Sequence, residues 1–153
     1  MSFSKRLVVS AVFLASVLVA RPGVGDVSLT RLANDGIILS NARTRVMVDG
    51  MVVEPYSIYG GLPASAADEF MLATGTFGQI DLVLVSHRHH AHNQPAYACE
   101  FMRKSLASRL VTSSEVVDLM REKCRSFVLS SNRIEIVDPQ PGQPVKVDLD
   151  RAR

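Results

Sequence analysis

Every histidine of the chain falls in "LVSHRHHAHNQP", Leu84 to Pro95, as His87, His89, His90 and His92. Neutral imidazole nitrogens suit zinc and similar borderline metals. In an extended segment, residues two apart project the same way. His87 and His89 are therefore expected to point together, with Arg88 and His90 pointing away. His92, at the start of the next element, can turn back towards the same pocket. The alternatives for such a cluster are a solvated polar loop or histidines satisfied by hydrogen bonds.

The elements around the cluster decide how it is held. "IDLVLVS" (Ile80 to Ser86) is a near-continuous apolar run of strand length, which reads as a strand buried on both faces. The histidines then lie in the loop at its C-terminal end, where α/β architectures build sites. Upstream, "SLTRL" and "GIILS" read as strands joined by the turn "AND", and "NAR" leads into "TRVMVDG", an antiparallel meander closing at Asp49-Gly50. The loop "EPYSIYGGLP" is long enough to line a site, and "ASAADEFMLAT" has helix-forming composition with acids near its start. Downstream, Asn93 is expected to cap a helix carrying Pro95 in its first turn. "RLVTS" reads as a strand, and "SSEVVDLMREKC" as a helix with a Ser cap and Glu115 in its first turn. "FVLSS", "RIEIV" and "VKVDL" read as further strands. The predicted class is mixed, α/β or α+β.

Composition narrows the function. The 153 residues are 47% hydrophobic and 21% charged, as in a globular chain of one domain. Lys5 and Arg6 precede the apolar run Leu7 to Ala20, which is short for a ~30 Å hydrocarbon core. A basic start, apolar run and small residues form the pattern of a signal peptide over residues 1–25, with an uncleaved anchor as the alternative. The expected location is periplasmic or secreted, with no membrane partner after cleavage. Lys5, Arg6 and Arg21 fall in this segment with no acid, leaving 14 basic against 15 acidic residues from Asp26 onward. No basic patch with interleaved aromatics remains, so nucleic-acid binding has little support. Cys99 and Cys124 could form a disulfide in an oxidising compartment, or be two buried small apolar residues.

"SHRHHAH" after "IDLVLV" resembles the His-x-His-x-Asp-His motif of the metallo-β-lactamase superfamily. "NDGIILSNARTRVMVDG" upstream and "SRLVTSSEVVDLM" downstream also resemble that family, so the likeness covers about Ser28 to Asp148. It implies the N-terminal portion of an αββα sandwich over residues 26–153, with one or two zinc ions. It implies hydrolysis of an ester, lactam, thioester or phosphoester by metal-activated water, with a small-molecule substrate. By position, His87 and His89 match ligands of a first metal, His92 matches a ligand of a second, and Asp49 matches a supporting acid. His90 occupies a variable position. Ala91 stands where the motif has Asp, whose carboxylate binds the second metal and holds the nucleophilic water. No histidine follows His92 to complete the site. Impaired hydrolysis is therefore expected, from an incomplete domain with an apolar sheet face left open. The alternatives are a non-catalytic pseudo-enzyme or fragment, and a periplasmic metal-binding module using the four histidines as a loop chelator.

Overall fold

A computed structural model describes residues 26–147; the proposed signal peptide lies outside the described residues. Six strands form one mixed sheet in sequential order: β1 (Ser28–Arg31), β2 (Ile37–Ser40), β3 (Arg45–Val48), β4 (Leu82–Val85), β5 (Arg109–Thr112) and β6 (Ile134–Ile136). The first three are antiparallel neighbours, and β3 to β6 run parallel. The meander is short because its turns are short. Asn41 Oδ1 accepts the N–H groups of Arg43 and Thr44, each at 2.8 Å, and so closes the β2–β3 turn with its own side chain. The fold class is thus a mixed α/β sheet with helices.

Each parallel step is a crossover through a helix: α1 (Ala64–Leu72), α2 (Pro95–Lys104) and α3 (Ser114–Ser130). Right-handed crossovers in a sheet that advances one strand at a time put all three helices on one face. Their apolar sides meet Ile38, Met47, Val83 and Leu110, which are aligned residue to residue across β2 to β5. Phe70 of α1, Phe101 and Met102 of α2, and Val116 and Met120 of α3 complete this core. Phe70 stacks on Phe101 at 4.9 Å and meets Phe77 edge-on at 5.2 Å. The other sheet face carries Leu39, Val46 and Leu82 in one row and Ile37, Val48, Leu84 and Val111 in the next. It is apolar across β2 to β4 but carries the Arg109–Glu135 ion pair, at 3.0 Å, where the same rows reach β5 and β6; of its apolar residues only Leu82 and Val111 are buried.

Several sequence expectations need correction. "FVLSS" is not a strand: Phe127–Ser130 is the end of α3. The buried residues Met120, Cys124 and Val128 recur at four-residue spacing, so helical packing overrides the β-propensity of Phe and Val. The helix is interrupted at Cys124, whose φ of −145° and ψ of 51° are non-helical. Val145–Val147 of "VKVDL" is irregular, since the proline-rich run before it leads away from β6 and nothing pairs with it. The rest of that segment lies outside the described residues. The acids of α1 are not in its first turn; Glu69 instead accepts the Thr76 N–H at 2.8 Å.

Neither expected helix cap bonds its helix through a side chain. Gln94, not Asn93, precedes α2, with Pro95 in the first turn. Ser113 stands at the start of α3, but the first N–H of that helix is bound by Asp138 from beyond β6, at 2.9 Å. The C-terminal end of α2 is held by Arg133, which donates to the carbonyls of Met102, Ser105 and Ser108. Partial burial there lowers its pKa from the ordinary arginine value. Among the described residues, no helix is long and apolar enough to cross a membrane.

Cys99 and Cys124 are joined in a disulfide that ties α2 to α3. For a sequence separation of 25, chain entropy assigns such a cross-link about 3.5 kcal/mol. The double variant Cys99→Ser, Cys124→Ser should therefore lose about 2–4 kcal/mol in urea unfolding. A loss under about 0.5 kcal/mol, the range of an inconsequential substitution, would mean that the cross-link constrains nothing.

Candidate functional site

The ends of β3 and β4 lie side by side, and the site is built where both stop. Asp49 follows β3 with a φ of 49°, the left-handed region that Asp tolerates better than most residues. Its N–H still bonds the Leu84 carbonyl at 2.9 Å, so the β3–β4 ladder runs one step past the strand. The bend that follows turns the buried carboxylate towards the end of β4. There Oδ1 accepts the Ser86 N–H at 2.7 Å, and Oδ2 lies 2.7 Å from Ser86 Oγ and 3.1 Å from His92 Nδ1.

Donor and acceptor roles follow from this network. A carboxylate only accepts, so Ser86 Oγ–H and His92 Nδ1–H both donate to Asp49. Ser86 Oγ has one hydrogen, and its second contact is His87 Nδ1 at 2.8 Å. His87 must therefore donate from Nδ1–H to Ser86, which leaves Nε2 as its lone-pair nitrogen. Desolvation, followed by repulsion from His92 and His89, lowers the His87 pKa below its ordinary 6.5. The shift favours the neutral imidazole, the form that ligates metals.

The structure brings three of the four histidines together. The His87 ring lies 4.0 Å from that of His92 and 4.7 Å from that of His89, centroid to centroid. His92 returns because its N–H and that of Asn93 both bond the His89 carbonyl, at 2.9 and 3.0 Å, closing a tight turn. His90 is directed elsewhere and packs its ring on Tyr56, 4.6 Å away. Ala91 is buried within the turn.

Three further contributors stand outside the positions that the motif assigns to ligands. Asp35, in the β1–β2 turn, puts Oδ2 3.4 Å from His92 Nε2. Ser86 relays Asp49 to His87. Gln94 fixes the neighbouring loop: its Oε1 accepts the N–H groups of Val53 and Glu54, and its Nε2 donates to the Glu54 carbonyl. That loop then forms a small hairpin in which Tyr56 and Tyr59 exchange two backbone hydrogen bonds. This pairing places Tyr56 beside His90. Asn93, expected as a cap, is instead fully buried, and its backbone pairs with Met51. No sequence signal marks Asp35 or Ser86 as site residues, because each acts through a contact between elements distant in the chain.

Tetrahedral zinc at ~2.0–2.1 Å per nitrogen holds ligand nitrogens about 3.3 Å apart. Rings spaced like these are close enough to supply such nitrogens after side-chain rotation. Among the described residues, no three potential ligands already converge on one point; Asp49, Ser86 and Asp35 occupy ring nitrogens instead. The donor chemistry suits a zinc-class ion, whereas the ring positions would have to change by side-chain rotation to hold one. No protein-family model matches the chain, and neither does any curated protein sequence.

Asp49→Asn tests the assigned tautomers. An amide N–H₂ facing Ser86 would force the hydroxyl to accept, turning its hydrogen towards His87 Nδ1. His87 should then shift from the Nδ1–H to the Nε2–H form, read from long-range ¹⁵N–¹H correlations of the imidazole. A variant that keeps Nδ1–H would show that Asp49 does not govern this ring.

Proposed function

We propose that this chain is an exported, metal-binding protein of the metallo-β-lactamase type, with a zinc-class site at His87, His89 and His92 and impaired hydrolytic power. One observation carries the reading: Asp49 holds His92 directly and His87 through Ser86, each by Nδ1, leaving both Nε2 atoms outside its network. A carboxylate behind the ligand histidine is the usual way a protein fixes tautomer and ring orientation for a metal. A loop chelator without a built cavity has no need of it.

When bound, the metal would polarise a substrate carbonyl or phosphoryl oxygen and lower the pKa of water towards ~7. The chain's own residues would bind that ion and orient its imidazoles. The expected substrate is a small molecule with an ester, lactam, thioester or phosphoester bond. The buried methyl of Ala91 can neither accept a proton nor hold a nucleophile in line, which supports weak turnover. Three imidazoles meet the usual number of protein ligands for a catalytic zinc. The spacing favours grouping His92 with His87 in one site over assigning it to a second ion.

Export is supported by the basic and apolar start of the sequence and by the Cys99–Cys124 disulfide, since such bonds persist in oxidising compartments.

Calorimetric titration with zinc should show binding that His87→Ala abolishes, with circular dichroism unchanged. The zinc-loaded chain should turn over ester, lactam and phosphodiester probes negligibly. Absence of zinc binding would remove the proposed site, and robust metal-dependent turnover would remove the proposed impairment.

A further inference from the structure

We infer that Asp35 is the carboxylate ligand of this metal site, completing a single N₃O set with His87, His89 and His92. The inference rests on the metal-binding reading above and adds a residue from a different part of the chain.

Two carboxylates contact His92, and they differ in what they have left to offer. Asp49 is buried, and its two oxygens already accept three hydrogen bonds, two from Ser86 and one from His92 Nδ1. Drawing it onto a metal would break the network that orients His87. Asp35 has a side chain 63% exposed, and its contact with the cluster is at His92 Nε2, the nitrogen on the far side of the ring from Asp49. A metal at Nε2 would therefore meet Asp35 and not Asp49.

The turn that presents Asp35 is built closely against the site. Asn34 adopts a left-handed φ of 54°, and the turn is closed by Leu32 N–H to the Gly36 carbonyl at 2.8 Å and Gly36 N–H to the Ala33 carbonyl at 3.0 Å. Gly36 then presses against the backbone that carries Asp49. A Cβ at Gly36 would stand 3.0 Å from the Asp49 carbonyl oxygen and 3.1 Å from the Gly50 Cα. Both neighbours are backbone, so a side chain here would have to push the two turns apart by a few tenths of an ångström. The turn is thereby fixed to the residue that orients the imidazoles.

A bare surface contact between Asp35 and a protonated His92 would contribute little, at most about 1 kcal/mol when exposed. It would not alter metal affinity in the way a ligand does. Three imidazoles and one carboxylate also fill a tetrahedral zinc without an open position. Such closure supplies a reason for weak hydrolysis besides the methyl at position 91.

The test is zinc calorimetry, with cobalt(II) absorption as a second readout, on the purified chain and on Asp35→Asn, Asp35→Ala, His87→Ala and Asp118→Asn. Asp118 lies on α3 with its side chain 67% exposed, and its substitution controls for the lost charge. The expected result is one ion per chain, bound at least about tenfold more weakly by both Asp35 variants. The cobalt bands should shift in those variants, while Asp118→Asn matches the parent. Asp35 variants that bind as the parent does, with binding lost in His87→Ala, would overturn the Asp35 assignment and keep the metal site. No binding by the parent would overturn both. Thermal melts within about 2 °C of the parent would show that the Asp35 variants are folded.

Discussion

A single buried carboxylate organises the candidate site. Asp49 accepts a backbone N–H, a hydroxyl and an imidazole N–H, all from the segment that leaves β4. Hydrogen bonds to a charged acceptor contribute about 1.5–3 kcal/mol each, against a cost of order 1–3 kcal/mol for a residue held in left-handed backbone. The three bonds outweigh that strain, so the bend after β3 persists. Without the bend, the carboxylate would continue along the strand and miss Ser86. The parallel pairing of β3 with β4 is the precondition, because it brings both strand ends to the same edge of the sheet.

The helical layer keeps that edge in place. Residues of four adjacent strands align in one row, and the helices close over them, so a shift of β4 relative to β3 would disturb the packing against all three helices. Arg45 acts at the opposite end of the sheet. Its guanidinium donates to the carbonyls of Gly78 and Thr76, while its N–H bonds Asp81 at 2.8 Å. The start of β4 is thus tied to β3 by side-chain chemistry, and its end by Asp49. Registry between these two strands is fixed at both ends, which is what a site spanning them requires.

Much of this was legible in the sequence, and the exceptions share a cause. The meander, the buried strand before the histidines and the three helices follow from local periodicity and turn residues. The expectation that His90 stands apart from His87 and His89 matches the structure, but the cause is the bend at Arg88 and the turn over residues 90–92, not alternation along an extended chain. "FVLSS" misled because β-branched and aromatic residues suit a strand locally, while the inner face of α3 needed Val128. "VKVDL" misled because alternation says nothing about whether a partner strand is present. The Ser113 cap misled because its side chain bonds nothing in the helix, while Asp138, remote in sequence, takes the first N–H of α3. Asp35 and Ser86 were invisible for the same reason: their roles exist only once β1–β2, β3 and β4 are assembled. The resemblance drew attention to Asp49 and the histidines by position, but could not say which nitrogens of His87 and His92 face Ser86 and Asp49.

Position 91 takes a different meaning from this geometry. In the resembled motif, one Asp both binds a metal and manages the attacking water. Here the residue at that place is a methyl group enclosed in a turn whose hydrogen bonds are all backbone, from His92 and Asn93 to His89. The turn closes through backbone bonds without a carboxylate at position 91, and it sets His92 beside His87. What remains is a division of labour: a buried acid orients the rings and an exposed acid stands at the outer nitrogen. Orientation of the two rings is built into the sheet edge, where Asp49 reaches Ser86 and His92 from the end of β3. On the proposed reading, a nucleophile would have no comparable support, because the side chain at position 91 is a methyl group that neither accepts nor donates a proton.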